Sequence, residues 1–135
     1  MIQRLNVDEL REPPGYTEIA IVDNAKLVFI AGQMPIDPQG NLIGGDDPVE
    51  QGKQCLRNVA ACLSAVGAEP THIVRTTVYV VPNGRMSIGD VWDQLLSSEW
   101  GTSLRPPGTL VGVAGLAYAG QLVEIECTAA IPAQE

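Results

Sequence analysis

Apolar and polar positions along this chain change period several times, and each change marks a predicted element. Runs rich in β-branched residues at positions 17–23 and 26–31 are typical of strands, and the Asp-Asn-Ala turn between them predicts a hairpin. The same features predict further strands at residues 72–81, 109–116 and 121–130. Prolines and glycines at residues 32–40 indicate an ordered loop, and the Pro-Pro-Gly turn at 13–15 places the start of the fold near Tyr16.

Two segments have helical spacing instead. The first follows Asp46 and Asp47, so that an aspartate caps the helix, Pro48 takes its first position and Gly67 stops it. Ser87 is placed to cap the second helix, which extends to about residue 100. Their apolar stripes are Val49, Leu56, Val59, Leu63 and Val66 in the first and Ile88, Val91, Trp92, Leu95 and Leu96 in the second. The predicted order is ββαβαββ.

This order predicts an α+β fold in which both helices pack on one face of a sheet. In the last strand, the residues that alternate toward the helices are Val123, Ile125 and Cys127, and those on the other face are Leu122, Glu124, Glu126 and Thr128. Apolar positions on neighbouring strands, Leu110 and Val28 or Phe29, are expected to share that second face. A face that is half apolar and half acidic predicts burial between subunits, so we expect an oligomer.

Length and charge exclude several classes of protein. A chain of 135 residues fits one domain, residues 1–135, with its own core. The net charge is −8 and the eight basic residues are dispersed, so no phosphate-tracking surface for nucleic acid is expected. No apolar run approaches the roughly 20 residues that span a bilayer. The N-terminus has early acidic residues and no apolar core of a signal peptide, so a cytoplasmic location is expected.

The residue types for metal or nucleophilic chemistry are sparse. Cys55, Cys62 and Cys127 stand in apolar contexts without a C-x-x-C spacing, and we interpret them as small core residues. His72 is the single histidine and is interpreted as a polar residue at the start of a strand. Neither a metal site nor a Ser/Cys/His nucleophile motif is predicted, and no cofactor is expected.

Four stretches in order carry a resemblance to a known family. Residues 27–35 read LVFIAGQMP, a strand and loop with an Ala-Gly-Gln core. They are followed by QCLRNV, IVRTTVYV and RPPGTLVGV leading to VEIE, at residues 54–59, 73–80, 105–113 and 123–126. Together they cover roughly residues 16–131, and on them the chain resembles the RidA (YjgF) family of reactive intermediate deaminases.

The resemblance implies a chorismate-mutase-like fold, with a mixed sheet backed by two helices. It also implies a homotrimer with a barrel-like interior and small-molecule pockets between subunits. Deaminating members carry an arginine at the start of the fourth strand that binds the substrate carboxylate. Here the matching position is Gly108, so that anchor is missing. A bidentate contact of this kind is worth about 1.5–3 kcal/mol, so its loss predicts altered substrate recognition. Arg105, just upstream, is a candidate substitute.

Other pocket positions are carried over from the family. Tyr16 matches its pocket tyrosine, Gly32 the glycine whose backbone contacts the ligand, and Glu124 the glutamate that positions the hydrolytic water. Gly89 replaces an asparagine of the deaminating members. Plainer interpretations stay open: Glu124 and its neighbour Glu126 as solvated carboxylates, Tyr16 as a turn aromatic.

Two functions of different class follow from these expectations. In the first, the protein hydrolyses an enamine or imine intermediate with release of ammonia, and its substrate is larger and less anionic than that of the arginine-bearing deaminases. In the second, the trimer binds a ligand or a protein without catalysis, which the missing arginine favours. An endoribonuclease, a label that some relatives carry, is disfavoured by the acidic charge.

Overall fold

Six strands and two α-helices are found in residues 1–134, the part of the chain that this computed structural model describes. The strands are β1 Ile2–Leu5, β2 Ile19–Val22, β3 Ala25–Gln33, β4 Ile73–Val80, β5 Gly108–Gly112 and β6 Val123–Pro132. The helices are α1 Pro48–Ala65 and α2 Ile88–Leu96, and short 3-10 turns lie at Pro70–His72 and Gly101–Leu104. From β2 to β6 the order is the predicted ββαβαββ.

The main sheet is mixed and has the strand order β3-β6-β4-β5. Strands β4 and β5 are parallel, whereas β6 is antiparallel to both β3 and β4. Both helices pack on one face, with α1 mainly against β6 and α2 against β5. The α+β fold with two helices on one side of a mixed sheet is therefore confirmed.

The hairpin predicted between the first two strands is wrong. Strand β2 pairs with β1 in a separate two-stranded ribbon, with Ile2 opposite Val22, so the fold starts well before Tyr16. Strand β3 pairs instead with β6, and the amide of Ala133 donates to the carbonyl of Asn24 at 2.9 Å. The turn residues therefore form a bend between two sheets, because β6 offers β3 a longer partner than β2 does.

The helix boundaries follow local capping. Asp47 Oδ1 accepts from the amides of Val49 at 2.9 Å and Glu50 at 3.4 Å, as the N-cap prediction requires. The second helix begins as predicted after Ser87 but ends at Leu96, short of residue 100. Ser98 explains the early end, since its hydroxyl donates to the carbonyl of Leu95 at 2.6 Å and accepts from the amide of Trp100 at 3.1 Å.

Alternation along β6 separates the two faces of the sheet as predicted. Val123, Ile125 and Cys127 are at most 4% exposed under the helices. We call the opposite side the open face, and its side chains are Phe29, Arg75, Thr77, Tyr79, Glu124, Glu126 and Thr128. Of the apolar residues expected there, only Phe29 is correct, and it is 77% exposed. Val28 and Leu110 pack against the core instead, because they pair with the buried Ala129 and Val78. Leu122, also expected on the open face, precedes β6 and packs against the core too.

The cysteines are core residues, as predicted, and all three are free thiols. Cys55 and Cys127 are buried, whereas Cys62 is half-buried. Desolvation raises the pKa of Cys127 to about 11 and raises the pKa of Cys55 further, with the Glu124 charge as a smaller contribution for Cys55. Neither buried thiol is therefore activated as a nucleophile at neutral pH.

Candidate functional site

Glu124 lies near the start of β6 on the open face, half-buried. Its Oε1 accepts a hydrogen bond from Gln121 Nε2 at 3.0 Å. Gln121 is only 4% exposed, and the same nitrogen donates to the carbonyl of Val123 at 3.0 Å. Because a side chain held by a buried neighbour keeps one orientation, Gln121 determines where the Glu124 carboxylate points.

Gly32 is the residue that makes room for this carboxylate. It lies in a β-bulge of β3, where the register with β6 shifts between Ile30 and Gln33. A Cβ built on Gly32 would overlap Glu124 Oε2, so any other residue would displace the carboxylate. Within residues 1–134 no group donates a hydrogen bond to Oε2, and that oxygen can accept one from a ligand or water. The two positions carried over from the family are thus neighbours in the fold.

Glu126 lies two residues after Glu124 on the same face of β6, and it has a different environment. Its Oε1 accepts a hydrogen bond from Tyr79 Oη at 2.5 Å. This hydrogen bond, with smaller contributions from desolvation and the nearby carboxylate charges, raises the pKa of Tyr79. Glu126 is therefore engaged in a cross-strand contact, whereas Glu124 presents an oxygen to which no donor of residues 1–134 is hydrogen-bonded.

Two further predicted pocket residues, Tyr16 and Gly108, lie in a cleft of about 400 Å³ between β5 and α2. Its lining includes Tyr16, Gly89, Trp92, Asp93, Gly108 and Leu110. The rings of Tyr16 and Trp92 meet edge to face, with centroids 6.4 Å apart and planes at 83°. The volume is within the range of about 300–1,000 Å³ typical of small-molecule sites. We call this space the aromatic cleft.

Gly108 lacks the guanidinium of the family's arginine, and its lack of a Cβ also lets two strands approach closely. A Cβ at this position would overlap the carbonyl oxygen of Thr76 on the neighbouring strand β4. The amide of Thr76 also donates to the carbonyl of Pro107 at 3.2 Å, so the two strands approach closely where their pairing begins. An arginine here would thus require the strands to move apart.

Arg105 does not take the place of the missing arginine within the protomer. It lines a separate groove with Arg4 and Pro70, away from the aromatic cleft. Its backbone is tied to the segment before β2, because its carbonyl accepts from the amide of Thr17 at 2.9 Å. The groove that Arg105 lines does not include Gly108.

The aromatic cleft and the Glu124 carboxylate are distinct places in one protomer. Gly108 pairs with Thr76 of β4, whereas Glu124 pairs with Tyr79 from the opposite side of that strand. At about 3.3 Å per residue the two positions are separated by about 10 Å along β4 alone. The lining of the cleft includes neither Glu124 nor Gly32.

Two residues of the candidate site, Gln121 and Asp93, were not predicted from the sequence. Gln121 sits just before β6, where nothing in the pattern of the chain shows that it reaches Glu124. Asp93 lies in α2 next to Trp92, and only helical geometry turns it toward the cleft. The burial of Gln121 calls for a hydrogen-bond partner, but that burial is a property of the fold and not of the sequence pattern.

Two features are absent from residues 1–134. No group of three or more His, Cys, Asp or Glu side chains there is arranged to hold a metal ion. Over the same residues, neither helix has the length and apolar character needed to cross a bilayer.

Comparison with known proteins places this site in a family context. A family model described as Endoribonuclease L-PSP matches residues 9–131. The 2-iminobutanoate/2-iminopropanoate deaminase of Capra hircus is 34% identical over 116 residues, which cover 84% of this chain and 78% of the relative.

Solved structures agree with this match. The Rid family protein YyfB of Yersinia pestis, described as of unknown function, has a TM-score of 0.82 at 28% identity, covering 96% of this chain and 98% of that one. E. coli TdcF, solved with bound serine, has a TM-score of 0.63 at 30% identity, covering 83% and 85%. The match over most of the chain, the mixed sheet with two helices and the pairing of Gly32 with Glu124 lead to one conclusion: this chain belongs to the RidA family.

Proposed function

We propose that this protein hydrolyses the C=N bond of a reactive imine, with Glu124 as the residue that positions and deprotonates water. The observation that carries the proposal is the Glu124 carboxylate itself. Gln121 orients one of its oxygens, and Gly32 leaves the other open. A general base must lie within hydrogen-bond reach of the proton that it removes, and the open Oε2 meets this requirement for a water bound beside Gly32.

The chemistry balances without a cofactor. Water adds to the carbon of the protonated imine and forms a C–O bond while Glu124 takes one water proton, which gives a neutral carbinolamine. Glu124 then returns that proton to the nitrogen and accepts the hydroxyl proton as the carbonyl forms, and the C–N bond breaks with release of ammonia. The deaminase from Capra hircus supports this reaction class, because its name states that it acts on two imines of 2-oxo acids.

The active assembly is a homotrimer in this proposal. The aromatic cleft and Glu124 are apart in one protomer, so a complete site requires that a neighbouring copy bring the two together. The open face carries the exposed Phe29 beside Arg75 and Glu126, the mixture of apolar and charged side chains found in subunit interfaces.

The assembly predicts a molar mass near three times the 14.3 kDa of one chain. Light scattering at micromolar concentration measures it directly. Phe29→Glu, which places a charge on the open face, is expected to shift the mass toward that of the monomer and to remove activity with it. A native mass of one chain would contradict the shared site.

Substrate recognition differs from that of the deaminases that bear the arginine. Gly108 leaves the aromatic cleft without the guanidinium that would bind a carboxylate, and Arg105 lies in another groove. A bidentate contact of about 1.5–3 kcal/mol corresponds to roughly one to two orders of magnitude in affinity.

The deciding measurement is ammonia release from freshly generated 2-aminoacrylate, with the Capra hircus deaminase as reference. We expect kcat/KM of this protein to be roughly 10- to 100-fold lower, because the carboxylate has no arginine to bind. Equal rates would show that Gly108 does not alter recognition. If this protein hydrolyses no imine, the result would instead support a trimer that binds ligands without catalysis. The absence of the arginine at Gly108 favours that alternative.

A further inference from the structure

The aromatic cleft carries a negative charge, whereas a substrate with a carboxylate needs a positively charged partner. Asp93 is the charged residue of its lining in the described part of the chain, beside the rings of Tyr16 and Trp92. Pro14 and Leu110 complete an apolar wall, and Gly89 and Gly108 add space. A carboxylate placed here would face Asp93 and find no basic partner.

We propose that the natural substrates are imines without a carboxylate, with an apolar body and a positively charged iminium nitrogen. This inference rests on the proposed function, since the ligand is taken to be the imine that Glu124 hydrolyses. The apolar body packs against Tyr16 and Trp92, and the cationic nitrogen is attracted by the carboxylate of Asp93. Because Trp92 is only 8% exposed, the wall is held rigid by the core.

A basic residue at the edge of the cleft does not reverse this assignment. Arg75 Nη2 donates to Thr109 Oγ1 at 3.4 Å, at the edge of the cleft. Its side chain, however, lies on the open face in a concavity shared with Phe29 and Glu126. Arg75 shares that concavity with the carboxylate of Glu126. Among the described residues that line the aromatic cleft, none is basic.

The reaction balances for such a substrate. An iminium ion and water give an aldehyde or ketone and an ammonium ion, so no proton or electron is left over. Imines of this class arise by two-electron oxidation of primary amines, whereas imines with a carboxylate arise from amino acids. The reaction that supplies this protein with substrate is therefore an amine oxidation.

Ligands that are not hydrolysed measure the charge preference of the cleft independently of imine hydrolysis. We compare 2-phenylethylamine, phenylalanine and 3-phenylpropionate, which share one apolar body and carry an ammonium, both charges or a carboxylate. Calorimetry on the native protein is expected to show that the amine binds at least about tenfold more tightly than the other two. Tighter binding of either carboxylate ligand, or binding of none, would overturn the inference.

Two matched variants assign the preference to Asp93. Asp93→Asn should weaken binding of the amine about fivefold, the size expected of an exposed ion pair. Asp90→Asn removes the same charge from the same helix outside the cleft, and it should leave the affinity unchanged. An equal loss in both variants would mean that only net charge matters, which would contradict the site. A loss of 3-phenylpropionate binding in Arg75→Gln would make Arg75 an anion site and also contradict it.

Hydrolysis is then measured separately, on the imines of phenylacetaldehyde and phenylpyruvate generated by an amine oxidase and an amino acid oxidase. Preference for the first imine, matching the binding data, supports the inference. If neither imine is turned over while the amine still binds through Asp93, the proposed hydrolysis fails and the ligand class stands. If the phenylpyruvate imine is turned over faster, the hydrolysis stands and the ligand class is wrong.

Discussion

Replacing Glu124 by glutamine is expected to reduce imine hydrolysis by about 10²- to 10⁴-fold, the usual contribution of a general base. The amide has the shape of the carboxylate and keeps an acceptor for Gln121 Nε2, so the fold should persist, but it cannot take a proton from water. The measurement is kcat/KM for ammonia release, with the unfolding transition recorded alongside.

Glu126→Gln is the matched control for this experiment. It removes the same charge from the same face of β6 and leaves an acceptor for the Tyr79 hydroxyl, which this carboxylate contacts at 2.5 Å. We expect activity within about threefold of the native protein, because Glu126 contacts the Tyr79 hydroxyl and the amide keeps that hydrogen bond. Parallel losses in both variants, or full activity in Glu124→Gln, would remove Glu124 from the mechanism.

Substitution of Gly108 is expected to have the second largest effect. It changes both the stability of the fold and the recognition of substrate. Gly108→Ala introduces a Cβ that overlaps the carbonyl oxygen of Thr76. Forcing β4 and β5 apart should lower the free energy of unfolding by about 1–3 kcal/mol, the usual penalty of overpacking. Urea denaturation measures this loss, and a variant as stable as the native protein would show that the strands separate freely.

Gly108→Arg adds the guanidinium to the same steric change, so the alanine variant is its proper reference. Relative to Gly108→Ala, we expect kcat/KM for 2-aminoacrylate to rise roughly 10- to 100-fold. Relative to the native protein the gain is smaller, because the displaced strands disturb the cleft. If the arginine and alanine variants are alike, the missing arginine does not explain the divergence in recognition.

Local pattern predicts most elements of this fold but not their pairing. The order ββαβαββ and the two faces of β6 are correct because period and capping are properties of neighbouring residues. The hairpin was wrong because the choice between β1 and β3 as partner of β2 depends on where β6 lies, far along the chain. Strand β1 itself has only four residues, Ile2–Leu5, too few for a periodic signal.

For the candidate site too, residues could be named from the sequence but their contacts could not. Gly32 and Glu124 were named through a family resemblance, but their contact depends on a bulge that no spacing predicts. Gln121 was not predicted, because its role depends on a side-chain hydrogen bond whose geometry exists only in the folded turn before β6. Arg105 looked close to Gly108 along the chain, yet the fold directs it into a different groove.

Burial protects the thiols of Cys55 and Cys127 from oxidation. At a pKa of about 11, only about one Cys127 in ten thousand is a thiolate at pH 7, and the thiolate is the form that peroxide attacks. The still higher pKa of Cys55 makes that residue slower to react, and both thiols are shielded by the core. Many oxidases that form imines also release hydrogen peroxide, so these two cysteines would resist the by-product of the reaction that supplies the substrate.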